Sequence, residues 1–542
     1  YLNITFFGQQ AYGVEAAARR YFSKSAKDLK LTEAALLAGL VQSPSRYNPL
    51  NDEQEALKRR NVVLQRMAEV GYITKAEAER AKKEPLGLNV SKPKNGCITA
   101  SDGAGFFCDY VRAVFLSDPA FGKTREERKK RWDEGGLTIR TTLDPQAKKA
   151  VQSGISKRIF ASDPVAAAVT IVEPGTGRIL GMGQSRPYGF TGNQTSVNYS
   201  VDKDMGGGVG YQPGSTFKPF TAAAALENGM SPGQVYPSPY EMPYPDVTDC
   251  EGGRYPGTGT VPNESRSEVG PYSMAEAMKM SVNTYFVSLE ADVGLCEVLK
   301  MTRKLGIKER ASGEKFGLGP SFTLGVNEVS PLTMASAYAA FASRGIYCKP
   351  RAIESITDAN GKELKVPRQS CRRVMSERTA DTINTMLKGV VDFGTGRQAG
   401  LTDRDSAGKT GTTDERYAAW FVGYTPNVSA AVWMGDPGHK RKMIDITIGG
   451  RYYSKVFGAD GPAPIWREAV SGALVGKPAE NFVTVELPKQ DRPERDEDKP
   501  ERDEDREDRP RKPKPKPRDP FPGFTFPPGF IGGNNGNGGG RG

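Results

Sequence analysis

Apolar residues recur at helical spacing through the first 85 or so positions. Val14–Phe22 is rich in Ala, Leu31–Leu40 carries an apolar face, and Glu53–Gly71 places Leu57, Val63, Leu64 and Met67 on a helical repeat. Each of these stretches predicts an amphipathic helix. Pro44 and Pro49 mark the break before the third helix, and Thr74 with Glu77 fits a capping box that opens a short fourth. The pattern is mixed from 86 to about 160. Leu137-Thr-Ile-Arg-Thr-Thr alternates like a strand, and Asp144 opens a helix with Pro145 in its first turn. The texture changes at Ala166. Ala167–Val172 reads as a strand, Glu173-Pro-Gly-Thr-Gly as a turn, and Arg178–Gly183 as the returning strand. Helical patterns dominate from Ser215 to Thr385, and strands resume at Gly408–Thr413, Ala418–Tyr424 and Ser429–Met434. A sheet assembled from both ends of one domain, with helices between, is an α/β layer architecture.

Composition changes this picture at the C-terminus. The hydrophobic fraction is 37%, below the roughly 45–50% of globular chains, a figure that also counts Gly. The shortfall is concentrated in a low-complexity tail of alternating charges, Lys-Pro repeats and Gly/Asn that begins near Pro488. Such a segment cannot bury enough surface to offset its ordering entropy and is expected to be disordered. Its acidic and basic residues nearly balance, so almost all of the net charge of +11 belongs to the rest of the chain. A basic body favours anionic neighbours, but no stretch resembles a nucleic-acid module, and nucleic acid is not expected as a partner. The six cysteines Cys97, Cys108, Cys250, Cys296, Cys348 and Cys371 form no CxxC pair, and the chain has one His. No metal site or cofactor is therefore expected. An even, dispersed set suits disulfides in an oxidising compartment. Six cysteines allow about 15 pairings; joining sequence neighbours (97–108, 250–296, 348–371) is the simplest expectation. No run reaches the roughly 18 apolar residues of a membrane helix, and no signal peptide is visible. The chain opens at Tyr1 in mid-pattern, which reads as a fragment whose upstream part, with any membrane anchor, lies outside it.

The candidate chemistry begins with an exclusion. The one His, His439, sits in the polar stretch Asp-Pro-Gly-His-Lys-Arg-Lys and reads as a surface residue. A serine nucleophile in this chain therefore needs another base. Pro213-Gly-Ser-Thr-Phe-Lys-Pro places Ser215 and Lys218 three apart, on one face of a helix and near its positive end. A lysine in a low-dielectric site beside other cations loses its proton near neutral pH and can activate a hydroxyl. By itself this motif is weak, since Ser is also a favoured helix cap. Met280-Ser-Val-Asn-Thr adds Ser281, which can relay a proton, and Asn283, whose amide can bond a peptide; the two come together only in a loop. Ser406-Ala-Gly-Lys-Thr-Gly-Thr-Thr adds Lys409, Thr410 and Thr412 as carboxylate binders, with Gly411 admitting a substrate backbone at a strand edge. A phosphate loop is excluded there, because Asp403 stands where that pattern requires Gly.

Taken in order, Ser-x-x-Lys, Ser-x-Asn and Lys-Thr-Gly resemble the motif set of the penicillin-binding proteins and serine β-lactamases. Tyr1-Leu-Asn-Ile-Thr-Phe-Phe-Gly, Leu36-Leu-Ala-Gly-Leu-Val-Gln-Ser-Pro-Ser-Arg-Tyr-Asn-Pro and Arg59-Arg-Asn-Val-Val-Leu-Gln-Arg-Met resemble the late portion of a peptidoglycan glycosyltransferase domain. Together they match the layout of the bifunctional class A penicillin-binding proteins. The resemblance implies a glycosyltransferase remnant over 1–85, a connector over 86–160, a transpeptidase domain over 161–480 and a tail over 481–542. The transpeptidase fold it implies is an antiparallel sheet with helices on both sides. The activity it implies is acyl transfer through Ser215, with Lys218 as base and Ser281 as relay. Backbone N–H groups of Ser215 and Thr412 form the oxyanion hole, while Asn283, Lys409, Thr410, Gly411 and Thr412 bind substrate. Its partners are peptidoglycan stem peptides and glycan strands, β-lactams and other cell-wall synthesis proteins, outside the cytoplasm. The two carboxylates of glycosyl transfer lie upstream of the Tyr-Leu-Asn stretch in that family, so this chain is expected to make no glycan polymer by itself. A carboxypeptidase, a β-lactamase and a non-enzymatic β-lactam sensor are the competing readings. The glycosyltransferase segment disfavours the last two, and no Glu-x-x-Leu-Asn loop is present.

Overall fold

The structure is a computed structural model in which residues 1–9, 11–91, 96–438 and 441–488 are described. His439 and residues 489–542 lie outside the described residues.

The N-terminal helices are α1 (Val14–Phe22), α2 (Leu31–Leu40), α3 (Glu53–Glu69) and α4 (Lys75–Lys83). Thr74 and Glu77 make the expected reciprocal cap on α4. The buried stripe of α3 runs through Ala56, Arg60 and Leu64; the expected Leu57, Val63 and Met67 are half-buried beside it. Arg60 is fully buried because its guanidinium donates to the carbonyls of Lys82, Glu84 and Pro85 at 2.8–3.2 Å. It thereby serves the carbonyls that the end of α4 leaves without partners. This packing continues past residue 85: Leu86 is buried, and the Asn89 and Ser91 amides donate to α1 carbonyls. Next come α5 (Gly105–Ser117), α6 (Arg125–Glu134) and α7 (Pro145–Ser156), the last capped by Asp144 with Pro145 in its first turn.

A five-stranded sheet forms the centre of the rest. Its strands are β1 (Ala166–Val172), β2 (Ile179–Gln184), β3 (Ala407–Thr412), β4 (Ala418–Tyr424) and β5 (Ser429–Gly435). They lie in the order β3-β4-β5-β1-β2, every pair antiparallel. The first and last segments of the domain thus meet through Val432 opposite Val169. Helix α7 and α14 (Pro462–Ala473) cover one face, where Val151, Ile155 and Trp466 meet Val169, Phe421 and Val432. Against the other face pack α8 (Lys218–Glu227), α12 (Pro331–Ala342) and α13 (Glu377–Phe393), bringing Phe220, Tyr338 and Phe341 to Trp420, Tyr424 and Trp433. Because both faces are covered, the strands read as apolar runs without alternation.

The stretch between Ser215 and Thr385 is less helical than its pattern predicts. Helices α9 (Met274–Met280), α10 (Asn283–Val293) and α11 (Leu295–Lys304) are present. Ahead of them, residues 235–273 form one long irregular hairpin of three nested ladders: 235–236 with 272–273, 241–243 with 260–262, and 247–248 with 254–255. Ladders of two or three residues, interrupted by Pro and Gly, are too short to show a period. The disulfide Cys250–Cys296 ties the tip of this flap to α11. Cys348–Cys371 bridges directly opposed residues of another short ladder, and Cys97–Cys108 fastens the start of α5. A second correction concerns residues 481–488, assigned above to the disordered tail. Phe482 is buried with its ring 5.4 Å from Tyr424, and the Val485 amide donates to Thr385 Oγ1 at 3.0 Å. Unlike the charged stretch after it, this segment is half apolar (Phe482, Val483, Val485 and Leu487), and Phe482 and Leu487 pack on the core.

Candidate active site

Three segments meet at the free edge of β3. The first is the turn Gly214–Phe217, which runs into α8. Buried side chains hold a carbonyl of this turn and those of the two residues before it: Trp420 Nε1 donates to Gln212 O at 2.8 Å, Tyr338 Oη to Thr216 O at 2.6 Å and Thr216 Oγ1 to Pro213 O at 2.9 Å. Ser215 alone in this turn is partly exposed, and it caps neither this turn nor α8. The turn lies so close to β3 that a Cβ on Gly411 would stand 2.3 Å from Pro213 O. This corrects the expected role of Gly411. The close approach it permits is that of the Ser215 turn, and Gly411 does not line the cleft.

The second segment is the junction of α9 and α10. Ser281 ends α9 in the left-handed region (φ 65°), Val282 is extended, and Asn283 begins α10. A left-handed Ser is uncommon and costs roughly 1–3 kcal/mol. Here it turns the hydroxyl and carbonyl of Ser281 toward the same point as the Asn283 amide. The third segment is β3. Thr413 N–H donates to Ala418 O on β4, so by alternation Thr412 N–H and Thr410 C=O face the opposite way, into the cleft.

Two lysines from different motifs converge on this junction, and both are fully buried. Lys218 Nζ donates to Ser281 O at 2.5 Å and Asn283 Oδ1 at 2.7 Å, and stands 3.4 Å from Ser281 Oγ. Lys409 Nζ donates to Ser281 Oγ at 2.7 Å and to Thr410 O at 3.2 Å. Burial, and then the neighbouring Lys409 charge, holds Lys218 well below the usual lysine range. Burial brings Lys409 down to about 7. Two ammonium groups around one hydroxyl in a dry site repel each other; the arrangement favours a neutral Lys218 beside a cationic Lys409. A neutral amine has two N–H donors and one lone pair. Ser281 O and Asn283 Oδ1 take both donors of Lys218, which leaves the lone pair to accept a proton.

Above the lysines opens a cleft of about 590 Å³, lined by Ser215, Ser281, Asn283, Thr410 and Thr412. Asn283 is engaged inside the protein on both atoms, since Nδ2 also donates to Pro262 O at 2.9 Å; one N–H remains for a ligand. Three further wall residues are not distinguishable in the sequence. Thr395 shares a 2.8 Å hydrogen bond with Thr410 through their hydroxyls. Burial pushes the carboxyl of Glu268, on the flap, above the usual carboxylate range, against hydrogen bonds from the Ser265 and Glu264 backbone. Arg416 pairs with Glu264 and lies 4.7 Å above the Phe457 ring. These residues come from segments remote in sequence, and only the fold brings them to the cleft. Among the described residues no group of His, Cys, Asp and Glu could hold a metal ion, and no helix is long and apolar enough to cross a membrane.

Two buried lysines meeting at Ser281, beneath a cleft at the free edge of an antiparallel sheet, are the centre of this site. The penicillin binding protein transpeptidase domain family matches residues 167–440, and the transglycosylase family matches residues 1–68. The chain belongs to the penicillin-binding proteins, in the class A branch that joins these two domains. It is 31% identical over 510 residues to penicillin-binding protein 1A of Mycobacterium tuberculosis, covering 89% of this chain and 56% of that protein. It is 32% identical over 512 residues to penicillin-binding protein 1A of Aquifex aeolicus, covering 80% of this chain and 66% of that one. The chain therefore spans less than two thirds of the length of these relatives. Among solved structures, penicillin-binding protein 1A of Haemophilus influenzae shares the fold, with a TM-score of 0.64 at 22% identity over 90% of this chain and 86% of that one. The penicillin-binding protein PonA1 of Mycobacterium tuberculosis aligns with a TM-score of 0.51 at 27% identity over 66% of this chain and 90% of that one.

Proposed function

We propose that the chain is a serine D-Ala-D-Ala transpeptidase of peptidoglycan synthesis, forming its acyl-enzyme on Ser215. The observation that carries this reading is the convergence of Lys218 and Lys409 on Ser281, beneath the cleft that Ser215 lines. Ser215 Oγ attacks the carbonyl of the penultimate D-Ala of a stem peptide, and Lys218 takes its proton. The carbonyl oxygen becomes an oxyanion between the N–H groups of Ser215 and Thr412, each donor worth roughly 3–4 kcal/mol. Ser281, bonded to Lys409 and close to Lys218, relays the proton to the leaving D-Ala nitrogen. Lys409, Thr410 and Thr412 hold the terminal carboxylate, and the remaining Asn283 N–H binds the peptide backbone. The amine of a second stem peptide then attacks the ester, restoring Ser215 and forming the cross-link.

β-Lactams acylate the same serine in this reading, in line with structural relatives solved as complexes with these drugs; penicillin-binding protein A of Mycobacterium tuberculosis was solved as an imipenem acyl-enzyme. The whole protein would also polymerise glycan strands, a reading supported by the transglycosylase match. Placement outside the cytoplasm is supported by the three disulfides. Intact-mass measurement with penicillin tests the centre of the proposal. One adduct per chain is expected, absent in Ser215→Ala; an adduct that persists in that variant overturns the assignment. Turnover of a stem-peptide mimic, with and without an added amine, separates cross-linking from carboxypeptidase hydrolysis and from a sensor without turnover.

A further inference from the structure

The flap and the start of α10 are joined by one buried amide. Asn263 is 3% exposed. Its Oδ1 accepts from Thr284 N–H at 3.0 Å, and its Nδ2 donates to Pro239 O at 3.1 Å and to Glu268 O at 2.9 Å. Those carbonyls can only accept and that N–H can only donate, so the partners dictate the orientation of the amide. Thr284 Oγ1 adds a bond to Pro239 O at 3.0 Å. One residue earlier on both segments, Asn283 Nδ2 donates to Pro262 O at 2.9 Å. Two consecutive flap residues thus grip the first two residues of α10. The first of these, Asn283, supplies Oδ1 to Lys218 Nζ at 2.7 Å.

We propose that Asn263 is a positioning residue for acyl transfer. By fixing Thr284 and the flap carbonyls, it sets the position of Asn283 and, through it, the direction of the Lys218 lone pair. The same amide fixes the backbone of Glu268, so the flap wall of the cleft and the base are set together. The role rests on the acyl-transfer reading of the site. Asn263 touches neither the lysine nor the cleft; it acts through Asn283.

Three measurements on the whole chain test this. In Asn263→Ala the first-order acylation constant with penicillin falls about 10- to 100-fold, the scale of an ångström-sized misplacement of a catalytic group. In a double-mutant cycle with Asn283→Ala, the pair loses no more than the larger single variant, because both changes remove one path to Lys218. Hydrogen exchange at the Thr284 amide accelerates in Asn263→Ala while the central sheet keeps its protection. Should Asn263→Ala fail to fold, Thr284→Val, which removes the hydroxyl bonds at nearly the same volume, carries the test with a smaller loss in the same direction. Wild-type acylation in these variants, additive losses with Asn283→Ala, or unchanged Thr284 exchange overturns the proposal. If the wild-type chain takes no penicillin, the acyl-transfer reading fails, and the Thr284 exchange still decides whether Asn263 holds the junction.

Discussion

Lys218 is fully buried, and its ordinary charge there is opposed by desolvation and by Lys409. In the proposed mechanism it is the base, because Ser281 O and Asn283 Oδ1 take both its N–H donors and leave its lone pair. Lys218→Ala should slow penicillin acylation by about 10²–10⁴-fold, the usual contribution of a general base, with the melting transition retained; a wild-type rate in that variant would refute the role. Lys409 sets an opposite limb of the pH dependence. Its folded pKa of about 7 means that free enzyme loses the cation as pH rises through 7. Capture of a carboxylate-bearing β-lactam should therefore decline above that pH in kcat/KM-type measurements. Lys409→Arg, which keeps its charge, should abolish that decline. The sign for stability is the reverse. Between about pH 7 and the ordinary lysine value near 10.4, the unfolded chain binds the proton and the folded chain does not, so stability rises with pH across that window. Below 7 both states are protonated and the cost of burying the charge is fully present. Chemical denaturation of wild type against Lys409→Met should show a difference that shifts in favour of wild type from pH 7 to 10.

At the scale of elements, the site depends on how closely a turn can lie against a strand. The Ser215 turn contacts β3 across Gly411, where any Cβ would meet Pro213 O at 2.3 Å. Gly411→Ala should push the turn and the strand edge apart, separating Ser215 from Thr412 N–H. Acylation should fall by about 10²-fold with little change in the sheet, as read by stopped-flow kinetics and circular dichroism; an unchanged rate would show that the turn yields without moving the serine. The motifs at this scale were legible in the sequence, because Ser-x-x-Lys, Ser-x-Asn and Lys-Thr-Gly are local patterns. The flap was not. Its ladders pair residues up to 38 apart, as Val235 with Ser273, over only two or three positions, so nothing periodic marks them, and Asn263 and Glu268 stay anonymous without it.

For the whole molecule, the boundary between packed and unpacked chain is a testable quantity. The described chain runs to Pro488, which lies against Gly233. Deleting residues 489–542 should leave penicillin acylation and the melting temperature unchanged. Deleting from 481 also removes Phe482, whose ring packs on Tyr424, and should cost about 3 kcal/mol, the scale of losing a buried Phe side chain. Equal melting temperatures for the two truncations would show that the 481–488 segment contributes no packing.

Sequence by itself determined the helical start, the two-ended antiparallel sheet and the three motifs, because each is written in local periodicity or in residue types at fixed offsets. It also limited the choice of base, since the one His stands in a polar loop context. Tertiary structure decided the rest. It alone showed that both lysines meet at one hydroxyl, that Gly411 lies against the Ser215 turn, that Asn283 is tied to the flap, and that residues 481–488 dock on the domain. Those facts depend on distances between segments separated along the chain, by as many as 128 residues for Lys409 and Ser281. Such distances are set by how whole faces of helices and sheet pack, and no window of sequence carries them.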